Sequence, residues 1–370
     1  MARARVLVAG LGDSGLLTAL HLTRHADVVG VSSQPALVSG QELGLRVSRP
    51  ERWARDYFIS FDRYRRLDRA RVVHGVLVGL DLTARTLSVR LPSGDVVEEP
   101  YDVLVISTGV TNGFWRTPAL RTAEEVSASL AAVHDRLAAA DSINVVGGGA
   151  AAVATAANLA LRWPDKRIGL YYPGERALPQ HHGRAWARVS RILTARGVAL
   201  HPGHRAIVPD GFACDEITAT PVSWSTGQPP VAADATIWAI GRVRPNTAWL
   251  PGSLLDDQGF VRVSPDLRVV GTDDVFALGD VAATDPLRST ARNRADKLLA
   301  HNIRAHLAGR PLRSYRPPRR RWGSVLGFQP DGLRVFTPSG RSFRFPHWSI
   351  DTILQPWIVR RGIYGGVRRR

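Results

Sequence analysis

Three glycine-punctuated stretches carry most of the chemistry this sequence can do. In the first, the apolar run Val6-Leu7-Val8-Ala9 breaks into Gly10-Leu11-Gly12-Asp13-Ser14-Gly15 and resumes as a helical pattern. Gly10 can take the positive φ of a strand-to-helix turn, Gly12 lets a pyrophosphate approach the backbone, and Gly15 lets the helix lie close on the strand. The unpaired N–H groups and positive dipole end of such a helix bind phosphate without a charged side chain. In the second, residues 143–146 open into Gly147-Gly148-Gly149-Ala150-Ala151-Ala152, ahead of a long alanine-rich helix. The third is an apolar strand ending in Gly279-Asp280. An acid at a strand's carboxyl end can bind a polyol chain in the crevice of an open α/β sheet, or it can cap a helix.

The elements that would hold these turns also come in duplicate. Asp102-Val103-Leu104-Val105-Ile106-Ser107-Thr108-Gly109 reads as a buried strand running into a glycine turn, and Asp234-Ala235-Thr236-Ile237-Trp238-Ala239-Ile240-Gly241 repeats its form. The two fingerprints stand 137 residues apart and the two strand-glycine segments 132 apart, so two nucleotide-binding units of similar plan are expected. Gly279-Asp280 lies beyond the second unit, which makes the first discontinuous. The predicted fold class is α/β: two Rossmann-like, three-layer nucleotide-binding domains, the first discontinuous, plus a small basic C-terminal region. Expected boundaries are 1–113 and 241–312 for the first domain, 114–240 for the inserted one and 313–370 for the C-terminal region.

Between these motifs the pattern is plainer. Residues 27–32 read as a second strand, placing Ser32 where such a fold usually carries an acid for a ribose hydroxyl. Residues 39–69 read as polar and irregular. Residues 72–80 and 85–91 read as a hairpin or meander over the parallel sheet. A helix is expected from about 289 to 309.

Composition narrows the classes. The chain has 370 residues, 44% of them apolar, enough for two or three domains. Its one cysteine, Cys214, excludes an intramolecular disulfide, a Cys-x-x-Cys pair and a thiolate metal cluster, so redox chemistry must come from a cofactor. His181-His182 has no third ligand at metal spacing, and no metal is expected. No apolar run reaches the roughly 18 residues of a spanning helix. Asp13, His21 and Arg24 interrupt the apolar start, which therefore reads as folded structure rather than a signal peptide. The net charge of +17 rests on 47 arginines and two lysines. From Arg310 to Arg370 there are 14 arginines against Asp331 and Asp351, so the tail is the basic element.

The order of these motifs resembles the two-dinucleotide-binding-domain flavoprotein oxidoreductases over about residues 1–312. Within them it is similar to the apoptosis-inducing-factor-like and ferroptosis suppressor branch and to the type II NADH:quinone oxidoreductases. Tyr57-Phe58-Ile59-Ser60, Tyr101 to Gly109, Asn302-Ile303 and Gly309-Arg310-Pro311-Leu312 match as well. The resemblance implies FAD in the first unit, at Gly10, Gly12, Asp13, Ser14, Gly15, Ser32, Thr108, Gly109, Gly279 and Asp280. Asp280 would meet the ribityl chain and Gly109 the adenosine side. It implies NAD(P)H in the second unit, at Gly147, Gly149, Ala150, Ala152, Tyr172, Arg176 and Gly241. No side chain is assigned a catalytic role, because the flavin is the redox centre.

Two departures matter. Ala154 stands where relatives commonly carry a glutamate, and neither strand end offers the acid that favours NAD. Arg176 could then meet a 2′-phosphate, so NADPH is slightly favoured. The expected activity is hydride transfer from NAD(P)H to FAD, then electron transfer to an acceptor, foremost a quinone. The alternatives are a reductase of a small acidic carrier such as a ferredoxin or rubredoxin, and a flavin-binding redox sensor with little turnover. In the tail, residues 322–328, 333–337 and 342–345 read as short strands. Ile350, Ile353, Leu354, Trp357 and Ile358 then follow helical spacing beside Arg360, Arg361 and Arg368 to Arg370. Residues 346–370 are therefore expected as an interfacial element broken at Pro356, either resting on an anionic membrane or packing on the flavin domain. The expected location is the cytoplasm, peripheral on the inner face of the membrane; nucleic acid is a weaker expectation for the arginines.

Overall fold

The computed structural model describes residues 3–38, 43–112, 117–241, 243–284, 286–288 and 294–368. Its first sheet runs Val275–Ala277, Val103–Ile106, Arg5–Ala9, Asp27–Ser32, Ala70–His74, with every neighbouring pair parallel. The near-continuous apolar strands follow from coverage on both faces. Val6 and Val8 point into a cluster with Leu16 and Leu20 of helix Asp13–Leu22 and Leu299 and Ile303 of helix Ala295–Leu307. Leu7 and Ala9, one pleat over, join Leu87 and Val89 on the opposite face. There an antiparallel meander, Val76–Asp81, Thr86–Arg90 and Val96–Pro100, covers the sheet. The strand Val275–Ala277, far downstream, completes this sheet, so the first unit is discontinuous.

The second sheet is also parallel, in the order Ala199–His201, Arg167–Tyr171, Ser142–Val146, Ala235–Trp238. Helices Ala150–Arg162, Gly183–Ala195 and Ala123–Ala139 share its core. Where the chain passes between the two units, Val110–Thr111 pairs with Arg244–Pro245. The C-terminal region is a three-stranded antiparallel sheet, Phe328–Gln329, Gly332–Phe336 and Ser342–Phe345, followed by a helix of π type, Ile350–Ile363.

Five local expectations change, one of them at 322–328, where Gly323 makes only an isolated bridge to Phe336 and the strand begins at Phe328. Residues 72–80 are not one strand: Ala70–His74 extends the parallel sheet, Gly75 breaks the run, and Val76–Asp81 starts the meander. Of residues 39–69, expected as irregular, 39–42 lie outside the described residues and 43–69 are not irregular. They hold helices Leu43–Ser48 and Pro50–Tyr57, the second with proline in its first turn, where the missing N–H costs nothing. Dense arginine hides the pattern there, although Leu45, Val47 and Trp53 are buried. The helix expected from 289 is described only from Ala295; 289–293 lie outside the described residues. Pro356 does not break the last helix. Its buried face, Ile350, Leu354 and Gln355 with Val359 packed beside it, advances in steps of four and five, as i→i+5 winding requires. This inner face shares a core with Leu45, Trp53, Val126 and Leu130, so the segment is structural on one side.

Candidate functional site

Both glycine turns open into one cavity of about 970 Å3. Gly10, Gly12, Asp13, Ser14, Ser32, Thr108, Gly109, Gly279 and Asp280 line it from the first unit, and Gly149, Ala150 and Gly241 from the second. Gly15, Gly147, Ala152, Tyr172 and Arg176 do not line it. Two of these are packing glycines: a Cβ on Gly15 would strike the Gly10 carbonyl, and one on Gly147 the Ala239 carbonyl. Ala152 is fully buried, and Tyr172 is buried edge-on against Trp186.

The two helices that face the cavity begin at Gly12 and Gly149, and neither has a side-chain cap. Two other helices carry such a cap, Thr122 Oγ1 accepting from Glu125 N at 3.2 Å and His182 Nδ1 from Arg184 N at 3.1 Å, while Pro50–Tyr57 and Ala295–Leu307, away from the glycine turns, have none. The first-turn N–H groups of the cavity-facing helices are thus left for a ligand. A Cβ on Gly12 or Gly149 would meet no protein atom within 4 Å, and both glycines have extended backbone that any residue adopts. Protein packing gives no reason for glycine at either place; a diphosphate lying against the helix end does. The residues present fit two dinucleotides, one on each unit.

Asp280 lines the cavity, and no helix follows it directly. The next residues make a turn and a bridge from Ala282 to Val261, and the next described helix starts at Ala295. The helix-cap reading therefore falls, and Asp280 stands with the residues of the cavity lining. Ser32 is already engaged: its hydroxyl donates to Gln34 O at 2.9 Å and accepts from Gln34 N at 3.1 Å. Thr108 Oγ1 donates to Asn246 O at 2.8 Å, Asn246 Nδ2 donates to Thr108 O at 3.0 Å, and Asn246 Oδ1 accepts from Thr111 Oγ1 at 2.8 Å. Asn246 thus ties together the outgoing and returning chain passages at the cavity wall. The sequence signalled this only through the paired strand-glycine segments.

A loop over the second glycine turn also escaped the sequence reading. Leu178, Pro179, Gln180 and His181 line the cavity, and Leu178 is buried at φ 58°, a conformation rare for a bulky residue. It is held there by Leu178 N donating to Gly148 O at 2.7 Å. Arg176 braces the same loop, donating to His181 O at 3.3 Å and Pro179 O at 3.4 Å, and Arg321 N donates to Gln180 O at 3.0 Å. Arg46 also went unseen. It is 4% exposed, lines the cavity with Ala154, and lies 4.5 Å from the Trp53 ring centroid. Cys214 is buried among Val146, Trp224 and Trp238 rather than on the cavity lining. Among the described residues no group of three or more His, Cys, Asp or Glu could hold a metal.

A family model described as pyridine nucleotide-disulphide oxidoreductase matches residues 4–297. The chain belongs to this family. Pyridine nucleotide-disulphide oxidoreductases are FAD- and NAD(P)H-dependent, which agrees with the two cradles. The chain is 28% identical to human ferroptosis suppressor protein 1 over 287 residues, covering 74% of this chain and 73% of that one. It is 26% identical to oxidoreductase ptaL of Pestalotiopsis fici over 304 residues, covering 79% and 76%. The structure of reduced Bacillus anthracis CoADR-RHD superposes with a TM-score of 0.64 at 19% identity, covering 83% of this chain but only 57% of that one. That likeness is one of fold, and the chain spans little more than half the length of that protein.

Proposed function

We propose that this member of the family is an FAD-dependent NAD(P)H:quinone oxidoreductase with ping-pong turnover. The observation that carries the reading is the single cavity onto which both uncapped helix ends open, in a chain whose only cysteine is buried elsewhere. Bound FAD supplies a hydride acceptor that can release electrons onward. The chain's own part is binding and placement: the Gly12 and Gly149 helix ends hold the two diphosphates, and Asp280 accepts from ribityl hydroxyls. With no thiol on the cavity lining, the acceptor must come to the flavin itself. Val38, Leu77, Trp249 and Val325 give the cavity apolar wall suited to a planar quinone. The resemblance to type II NADH:quinone oxidoreductases favours the same acceptor. NADPH serves at least as well as NADH in this reading, because no acid stands at Ser32 or Tyr172 to repel a 2′-phosphate.

The test is anaerobic titration of the purified yellow protein. NADH or NADPH should bleach the flavin band, and a soluble quinone analogue should restore it. A colourless protein, or a bleached one that quinone leaves bleached, would overturn the proposal.

A further inference from the structure

A second concavity, of about 650 Å3, is walled by arginine from two separate helices. Arg49, Arg52 and Arg55 come from the start and body of helix Pro50–Tyr57, and Arg162 from the end of helix Ala150–Arg162; His347 closes the groove from the C-terminal region. Arg55 is spent locally on Asp56, at 3.0 Å, and Arg360 meets the same carboxylate at 3.6 Å. The other three are not spent. Arg52 lies over the Phe328 ring and its buried Nε has no hydrogen-bond partner. Arg162 lies over Trp163. Among the described residues none of Arg49, Arg52 and Arg162 is in an ion pair, although Glu51 and Asp351 also reach the groove. Burial first, then the charges of Arg52 and Arg162, lowers the pKa of Arg49. Like charges gathered this way repel, and an anion between them relieves the repulsion.

What lies beside the groove indicates which anion. Trp348, next to His347, is 66% exposed, and the helix that follows leaves Trp357 58%, Ile353 42% and Ile358 40% exposed. Arg361 covers the Trp357 ring, its guanidinium 5.1 Å from the centroid. Tryptophan and isoleucine standing out beside arginines match the membrane–water boundary, where indole sits at headgroup level and cations meet acidic lipid. A nucleic-acid backbone would leave those isoleucines unrewarded, and a second copy of so basic a face would be repelled.

We propose that the groove of Arg49, Arg52 and Arg162 holds the phosphate of an anionic phospholipid, while Trp348 and Trp357 enter the bilayer interface. The inference does not depend on the acceptor, since a quinone analogue in water reports on one and vesicle binding on the other.

The test uses the full FAD-loaded chain and flotation with vesicles of phosphatidylcholine alone or equimolar phosphatidylcholine and phosphatidylglycerol. The wild type should float with the second kind only, with a blue shift of tryptophan emission. Arg49→Gln/Arg162→Gln should bind roughly thirtyfold more weakly, given the contribution of each arginine near an acidic surface. Trp348→Ser/Trp357→Ser should lose the blue shift. Both variants should keep their flavin and their reduction of a soluble acceptor. Equal flotation of the arginine variant overturns the proposal. So does groove-dependent binding of inorganic phosphate or of duplex DNA by a protein that ignores the vesicles.

Discussion

Arg368 donates to both carboxylate oxygens of Asp68, with Nη1 3.0 Å from Oδ1, and so fastens the end of the described chain onto its first nucleotide-binding unit. The tie is reinforced on both sides. Arg63 donates to Arg368 O at 2.8 Å, Val367 bridges Tyr64, and the Tyr364 ring meets the Tyr64 ring edge-on at 5.3 Å. The expected basic tail is therefore partly consumed by structure: Arg360 serves Asp56, Arg368 serves Asp68, and Arg369 and Arg370 lie outside the described residues.

Asp68→Asn should loosen this end without emptying the flavin site. The Arg368 hydrogen bond holds the Asp68 carboxyl below the ordinary carboxylate range. A lowered folded pKa means that the stabilisation is present above the ordinary value and is lost as pH falls through the lowered one. Limited proteolysis near residues 364–368 should therefore quicken at acid pH in the wild type and at all pH values in the variant. A cleavage rate equal in both proteins at neutral pH would show the pair to be idle.

Gly12→Val and Gly149→Val should separate the two cofactors. A Cβ at either place meets no protein atom within 4 Å, so melting temperature should change little, but a side chain there fills the space against a helix end where a diphosphate would lie. Gly12→Val should purify without flavin. Gly149→Val should stay yellow while its KM for NAD(P)H rises at least about a hundredfold, as expected when close backbone approach is blocked. Asp280→Ala should weaken FAD binding by about 1.5–3 kcal/mol, the range for hydrogen bonds to a charged group. Flavin retained at wild-type occupancy in both Gly12→Val and Asp280→Ala would contradict the assigned site.

How much was legible follows from the range over which each signal acts. The glycine turns, the buried strands 103–106 and 235–238 and the return of 275–277 to the first sheet are written in local runs whose burial on both faces leaves Thr236 as their one polar strand residue. Arg46 was illegible because its burial depends on Trp53 and on the packing of helix Leu43–Ser48 against helix Ala150–Arg162, where Gly44 lies against the Ala154 carbonyl. The loop at Leu178 was equally hidden. Positive φ at a leucine contradicts its own preference and is imposed by the carbonyl of Gly148, thirty residues away in sequence. The π winding of 350–363 misled in another way, since an α-helical spacing read there puts Ile353 and Leu354 on one face, whereas the structure exposes the first and buries the second.

Acid should destabilise the second unit through His201. Its ring stacks on Tyr171 at 4.2 Å, with Trp224 on Tyr171's other side at 5.0 Å, and its pKa is lowered by burial and then by the neighbouring His204. The folded state favours the neutral ring, so stability is full above the ordinary histidine value and falls as pH drops below it, toward the lowered one. His201→Phe keeps a stacked ring with no proton to take up. Its melting temperature should vary less than that of the wild type between about pH 7 and about pH 5. Parallel curves would remove His201 from the account.

Arg176 decides between two readings of one side chain. Its guanidinium is exposed and its bonds to Pro179 O and His181 O, at 3.4 and 3.3 Å, are long enough to yield to a stronger partner. It follows the strand Arg167–Tyr171, at whose carboxyl end the ribose of a dinucleotide on the Gly149 helix would lie. A 2′-phosphate there would exchange two long bonds to neutral carbonyls for contacts with an anion. Arg176→Ala should then raise KM for NADPH about tenfold, equivalent to about 1.4 kcal/mol, and leave KM for NADH nearly unchanged. If the side chain only braces the loop at residues 177–181, both cofactors lose affinity together, because either one on the Gly149 helix would lie beside Leu178 on the cavity lining. Measuring the two KM values on one preparation distinguishes these outcomes, and a parallel rise would withdraw the NADPH preference.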